Sequence, residues 1–148
     1  MIQLKACLSL MIGVLACVML GACQSAPTTS PYARPYPALI ARDPKTLDIQ
    51  VSRDGKNLDF TNTTAREFGP STVWVNRWFS RPIDGIKVGE SVSLPLGEFK
   101  DLYSDSFKAG GFFAKENPDV VVMCELETNP ESAEAKMYGL VVVKGTYD

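Results

Sequence analysis

Residues 47–62 read LDIQVSRDGKNLDFTN, and this stretch decides the fold class. Leu47–Arg53 alternates Leu, Ile and Val with Asp, Gln and Ser, which is the pattern of a strand with one buried face. Asp54-Gly55 then supplies a tight turn, and the alternation resumes over Asn57–Asn62. Two alternating runs joined by Asp-Gly predict a β-hairpin.

Similar patterns recur toward the C-terminus. Ser71–Phe79 (STVWVNRWF) predicts a strand with its valines and Phe79 on one face and both tryptophans on the other. Asp119–Thr128 and Tyr138–Tyr147 are the most regular strand patterns. Shorter predicted pieces are edge-like strands at Ile86–Val88 and Val92–Leu96, one helical turn at Glu98–Tyr103, and a strand pair or kinked strand at Phe107–Lys115. Together they predict an all-β domain over residues 47–148, an antiparallel β-sandwich with an immunoglobulin-like or related Greek-key topology.

The N-terminus carries a targeting pattern. Between Lys5 and Cys23 lie 17 residues without a formal charge, and the segment ends in Leu20-Gly21-Ala22-Cys23. This tetrapeptide resembles the lipobox of bacterial lipoproteins. The resemblance implies that residues 1–22 are a signal peptide, that Leu20, Gly21 and Ala22 are recognised by the signal peptidase, and that Cys23 is lipidated. The alternative is an uncleaved membrane helix. It is disfavoured because a membrane span needs about 20 mostly apolar residues, and this uncharged segment has 17 residues.

The same resemblance places the protein in the bacterial cell envelope, bound to the lipid bilayer through acylated Cys23. Gln24 follows the cysteine. In the enterobacterial sorting pattern an aspartate at that position favours the inner membrane, so Gln24 implies the outer membrane, facing the periplasm.

Residues 23–46 contain the lipidation site and a proline-rich stretch, QSAPTTSPYARPYPALIARDPKT. Its prolines and lack of apolar periodicity predict a disordered linker. In polyproline II geometry, at about 3.1 Å per residue, this linker would reach roughly 70 Å from the lipid surface. An alternative is that Tyr32 and Tyr36 mark a proline-rich docking peptide.

Composition restricts the classes of function. Without residues 1–22 the chain holds 14 basic and 17 acidic residues, and it has no histidine. A mild acidic excess without a basic run disfavours nucleic acid or an anionic lipid surface as the main partner. The lack of histidine removes the commonest general base and metal ligand. Cys124 is the only cysteine outside the signal peptide and the lipidation site, so no intrachain disulfide is expected.

The best candidates for a recognition surface are aromatic residues and neighbouring arginines, because such side chains dominate protein interfaces and sugar-stacking platforms. These candidates are Trp74, Trp78, Phe112 and Phe113, together with the neighbouring Arg77 and Arg81. The alternative is that the tryptophans fill the domain core.

Two candidates for chemistry are weaker. Cys124 lies mid-strand on an apolar face without a histidine to activate it, which favours a buried, inert thiol over a nucleophile. Asp101, Asp105, Asp119 and Glu98 offer oxygen ligands for a cation, but their spacing matches no dense cation-binding loop. We therefore predict no catalytic residue, no metal site and no cofactor.

The segments DFTNTT, VWVNRWF and IDGIKVGESVSLPLGEFKDLYSDSF, all within residues 58–107, resemble small, uncharacterised bacterial envelope domains. That resemblance implies a β-domain and no named activity. The leading hypothesis is a non-enzymatic lipoprotein whose domain binds another envelope protein. The alternatives are an accessory subunit that joins an assembly through an edge strand and, with least support, a hydrolase.

Overall fold

The computed structural model describes residues 32–144, and all their regular structure is β except one short turn of 3₁₀ helix. The strands are β1 Ala41–Arg42, β2 Gln50–Asp54, β3 Asn57–Thr61, β4 Ser71–Val75, β5 Phe79–Ile83, β6 Ser91–Pro95, β7 Cys124–Thr128 and β8 Lys136–Val143, and the 3₁₀ turn is Leu96–Glu98. The predicted signal peptide and the predicted lipidation of Cys23 lie outside the described residues.

The strands form one sheet in the order β5-β4-β7-β8-β2-β3-β6, with β1 also beside β8. Neighbours pair antiparallel except that β8 pairs parallel with both β1 and β2. The predicted all-β class is confirmed, whereas the prediction of a purely antiparallel arrangement is wrong. The prediction failed because turn signals in the sequence indicate only antiparallel hairpins between consecutive strands. The parallel pairs instead join segments from the two ends of the domain.

The sheet curls around a single core. Its inner face buries side chains from both ends of the strand order, including Val51, Leu58, Phe60, Val73, Val75, Leu94, Cys124, Leu126 and Leu140. β8 connects the two halves, because its first part pairs with β7 and its last part with β2. This arrangement leaves the outer face of β4 and β7 available to another segment.

The predicted hairpin at Asp54-Gly55 is confirmed. β2 and β3 pair with Val51 opposite Phe60 and Asp54 opposite Asn57. The predicted edge position of Val92–Leu96 is also confirmed, since β6 ends the strand order and carries Pro95 at its last residue.

The prediction of one continuous strand over Ser71–Phe79 is wrong. The chain reverses after Val75, because Asn76 and Arg77 both have positive φ, near 55°, and the Trp78 N–H donates to the Val75 carbonyl at 3.1 Å. Asparagine tolerates this left-handed conformation better than most residues, and arginine gives no such signal in the sequence. The result is the β4–β5 hairpin, with Trp78 outside both strands.

Four other predicted elements are shorter or differently placed. Residues 119–123 are not a strand, because the Asn76 side chain binds their backbone: it accepts from the Val122 N–H at 2.9 Å and donates to the Val120 carbonyl at 2.8 Å. Residues 107–115 form a loop through Gly110 and Gly111, both with positive φ. Ile86 makes only an isolated bridge to Phe68, and the helical turn lies at Leu96–Glu98 rather than at residues 98–103.

Candidate functional site on the outer face of the sheet

An acidic and aromatic cluster lies on the outer face of β4 and β7. Because side chains alternate along a strand, the inward positions Val73 and Leu126 leave Trp74, Glu125 and Glu127 pointing outward. The Trp74 indole Nε1 donates to Glu127 Oε2 at 2.7 Å. All three outward side chains are nevertheless buried, with Trp74 and Glu127 at 0% exposure. Another part of the chain must therefore cover them.

The cover is the segment of residues 32–42, here called the N-terminal strap. The Tyr32 carbonyl accepts from Ser80 Oγ at 2.8 Å at the β5 side. Arg34 forms an ion pair with Glu127, and its guanidinium lies 5.1 Å from the Trp74 ring centroid. The strap then reaches β8, where its last two residues form β1. It crosses four strands of the sheet.

Tyr36 is the central contact of the strap. Its hydroxyl donates to Glu125 Oε2 at 2.7 Å, and its ring packs edge-on against Trp74 with the centroids 5.2 Å apart. The sequence predicted a disordered linker through residue 46. The structure instead places residues 32–42 against the domain, so the docking alternative for Tyr36 fits better, with this chain's own sheet as the receptor.

Each buried carboxylate of the cluster lies beside at least one arginine. Two Arg77 nitrogens contact the two Glu125 carboxylate oxygens at 3.2 Å each, and Arg42 lies 3.8 Å from the same carboxylate. Arg34 forms its ion pair with Oε2 of Glu127, while the other carboxylate oxygen, Oε1, is buried without a hydrogen-bond partner. Burying carboxylates is costly unless cations and hydrogen bonds compensate them. Three arginines therefore hold two carboxylates under the strap.

The cluster shifts the titration of its members. Burial raises the pKa of Tyr36 to about 12, and the hydrogen bond to Glu125 acts in the same direction. The hydrogen bonds to Glu125 also raise the pKa of the Arg77 guanidinium. Both shifts favour the protonated forms, which donate hydrogen bonds to this carboxylate.

The predicted recognition surface is only partly brought together. Trp74 and Arg77 belong to the cluster, but Trp74 lies under the strap and is not accessible. Trp78 is 55% exposed and donates from Nε1 to Asp101 Oδ2 at 3.1 Å. Arg81 pairs with Glu98 at 2.7 Å on β5. Trp74 is fully buried, as the alternative of a core residue predicted, but it is buried on the outer face of the sheet and not in the inner core cluster.

The other candidates for chemistry are dispersed. Cys124 is buried in the core, as predicted, and this burial raises the pKa of its thiol to about 12. Asp101 Oδ1 accepts the backbone N–H groups of Tyr103 and Asp105, which makes it a loop-closing residue. Within residues 32–144, no group of three or more His, Cys, Asp or Glu side chains is arranged to hold a metal ion.

Sequence reasoning missed Arg34, Arg42, Glu125 and Glu127 as site residues. The alternation of β7 does place both glutamates on the face of the strand that points away from Leu126. Charged residues on such an outer face are ordinarily exposed to solvent, so the pattern does not identify them as site residues. The only signal for the strap is the tyrosine and arginine content of the proline-rich stretch, which identifies no receptor.

Comparisons with protein-family models, with curated proteins and with solved structures found no match to this chain. Residues 32–144 contain no helix with the length and hydrophobicity needed to cross a bilayer.

Proposed function

We propose that this chain is a bacterial envelope lipoprotein that is anchored through acylated Cys23 and whose β-domain binds another envelope component without catalysis. Cleavage after Ala22 would leave Cys23 as the first residue and the acyl chains in the membrane, with the domain on the periplasmic side of the outer membrane. The support is the Leu20-Gly21-Ala22-Cys23 pattern together with the way the strap joins the domain.

The observation that carries the proposal is the Leu20-Gly21-Ala22-Cys23 pattern. The docking of the strap on Trp74, Glu125 and Glu127 then limits how far the domain can lie from the anchor. Only residues 23–31 remain between the anchor and the first described residue, Tyr32. Even fully extended, nine residues span at most about 30 Å. The domain then lies close to the lipid surface. Its greatest distance from the anchor is less than half of the roughly 70 Å predicted for a linker that is disordered through residue 46. Confinement near a surface raises the effective concentration of a weak interaction.

The chemistry of the described residues favours binding over catalysis. The Cys124 thiol is buried and its raised pKa keeps it protonated, whereas a nucleophile needs a thiolate. Glu125 and Glu127 are occupied by arginines and covered by the strap. Of the three hypotheses, the hydrolase therefore has the least support.

Mass spectrometry of the mature protein tests the anchor. The expected product begins at Cys23 and carries the mass of a diacylglyceryl group, with or without an additional acyl chain on the amino group. Cys23→Ser is the matched control, and this variant should lose the lipid mass and leave the membrane fraction. A wild-type chain that retains Met1, or that begins at Cys23 without lipid, would refute the proposal.

One structural feature favours the second candidate, an accessory subunit of an envelope assembly. β6 ends the strand order, pairs only with β3 among the named strands, and has only Leu94 buried. Its outer edge is a site where another strand can add. A photo-crosslinker at exposed Ser93 distinguishes the candidates: one dominant, stoichiometric product in intact envelopes indicates an assembly, and its absence indicates looser binding.

We also propose that the curled sheet is an immunoglobulin-like sandwich. In this assignment β5, β4, β7 and the first part of β8 form one layer and β2, β3 and β6 form the other. The common core between the two halves supports it. An experimental structure that resolves two packed layers with this strand order would establish the topology.

A further inference from the structure

A loop between Lys108 and Asp119 presents two phenylalanines to solvent. Its base is closed by two hydrogen bonds: the Asp119 N–H donates to the Lys108 carbonyl, and the Lys108 N–H donates to Asp119 Oδ2, both at 2.9 Å. Arg53 reinforces the base, since its guanidinium donates to the Ala109 and Asp119 carbonyls at 2.6 Å each. The loop is therefore fixed at its base while its tip projects outward.

The tip is strongly apolar. Phe112 is 94% exposed and Phe113 is 91% exposed, and their rings pack edge-on with centroids 5.0 Å apart. Val120 and Val122, on the returning arm, are also mostly exposed. Two large aromatic side chains at a fixed protruding tip are costly in water unless something covers them. A protrusion fits a deformable apolar medium, which needs no preformed pocket.

The charges near the tip are mixed. Lys115 follows the two phenylalanines closely in the chain, and Lys108 pairs with Glu116 at 2.5 Å. Attraction to anionic headgroups is therefore not the basis of the contact. The chemistry of the tip points to the acyl and interfacial region of a bilayer, which accepts aromatic rings whatever the charge of the lipid.

The first described residue of the strap lies near the segment that leads into the loop. Tyr32, where the described chain begins, contacts Ser80. The Ser80 backbone is bonded to Lys100, and Lys100 bridges to Ser106, which directly precedes Phe107 and the loop. The nine residues from Cys23 span at most about 30 Å, so a lipid anchor at Cys23 would keep Tyr32 within about that distance of the membrane.

We infer that the Phe112–Phe113 tip inserts into the lipid surface that holds the anchor, and that it thereby orients the domain on the membrane. This inference rests on the proposed lipid anchor. The occupant it commits to is the bilayer itself.

The test uses the lipidated full-length protein in vesicles of zwitterionic phosphatidylcholine. A thiol-reactive, environment-sensitive fluorophore is placed at Phe112→Cys, with Ser132→Cys in the exposed β7–β8 turn as the matched control. The background is low because Cys23 is alkylated by lipid and Cys124 is buried. The expected result is a blue shift at position 112 and loss of its emission with lipids that carry a quencher on the acyl chain. Position 132 should show neither effect, and added anionic lipid should change neither result.

A second measurement keeps both phenylalanines. The fluorophore is placed at Lys115→Cys, and its quenching by lipid is compared with that in the same chain carrying Phe112→Ser and Phe113→Ser. Quenching that disappears in the double variant attributes the contact to the native rings rather than to the dye.

Two results overturn the inference: a loop label as accessible to aqueous iodide as the label at 132, or shielding that appears only when envelope proteins are added. The second result would assign the tip to a protein partner. Mass spectrometry of the same samples separates this failure from failure of the anchor. Lipidated Cys23 with an exposed loop leaves the proposed function intact, and unmodified Cys23 refutes both.

Discussion

At the scale of single residues, Glu127 shows how the outer face of the sheet is held. Its side chain is completely buried, and its partners are the Trp74 indole and the Arg34 guanidinium from the strap. A buried carboxylate that loses its cation is strongly destabilising, whereas an exposed ion pair contributes little. The chain contains both kinds of pair, which allows a matched comparison.

Arg34→Ala should lower the free energy of unfolding by about 1–3 kcal/mol, because it leaves the buried carboxylate of Glu127 without its cation. The loss is smaller than for a fully buried pair, since Arg34 is partly exposed and release of the strap lets water reach Glu127. Arg81→Ala is the control, because Arg81 is as buried as Arg34 but pairs with half-exposed Glu98. It should cost less than about 1 kcal/mol. Urea denaturation of the mature chain carrying Cys23→Ser measures both values. Equal losses would show that the strap pair behaves as an ordinary surface pair.

Tyr36 makes the docking of the strap sensitive to alkaline pH. Its pKa is raised from 10.0 to about 12, so the neutral hydroxyl contributes stability that is fully present below pH 10 and is lost as the pH rises toward 12. Tyr36→Phe removes the titrating group and keeps the ring. The difference in urea midpoint between wild type and this variant should therefore shrink between pH 9 and pH 11.5. A constant difference across that range would contradict the assignment.

At the scale of elements, the sequence predicted those turns and strands that residues adjacent in the chain determine. The β2–β3 hairpin was predicted because Asp54-Gly55 is a turn signal in itself. The β4–β5 hairpin was missed because its turn is stabilised from outside: the Asn76 side chain binds residues 120–123 and thereby also ends the predicted strand there. The strap was missed for the same reason, since proline-rich sequence carries no periodicity and its order comes from Trp74 and Glu125.

Gly85 is required where the chain passes close to the backbone of Phe68, a contact that the sequence does not reveal. It precedes Ile86, whose backbone exchanges two hydrogen bonds with Phe68, at 2.8 and 3.0 Å. Its φ is +143°, and an added Cβ would lie 2.6 Å from the Phe68 carbonyl oxygen. Gly89 also has positive φ, +73°, but open space around it.

Gly85→Ala should therefore destabilise the domain by about 3 kcal/mol or more, through a backbone clash added to conformational strain. Gly89→Ala should cost only the left-handed penalty of about 1–2 kcal/mol. Thermal unfolding followed by circular dichroism gives both shifts in midpoint. If Gly85→Ala cost no more than Gly89→Ala, the close approach of residues 68 and 85 would be wrong.

At the scale of the whole molecule, β8 joins the two halves of the curled sheet. Its first part pairs with β7, and its last part pairs in parallel with β2, which no local sequence signal predicts. Both halves bury their inner faces in one core, so neither has a core of its own. A single cooperative unfolding transition is the physical consequence.

Two probes test this cooperativity. Tryptophan emission reports the β4–β5 half through Trp74 and Trp78, and a fluorophore at Ser93→Cys reports the β2–β3–β6 half through β6. Their urea midpoints should coincide. Val141→Pro then removes the N–H that donates to the Ile49 carbonyl at 3.0 Å where β8 meets β2. It should lower both midpoints together, by about 2–3 kcal/mol in unfolding free energy, since the lost hydrogen bond leaves a carbonyl unsatisfied. Separate transitions for the two probes would show that the halves are independent units and that β8 does not couple them.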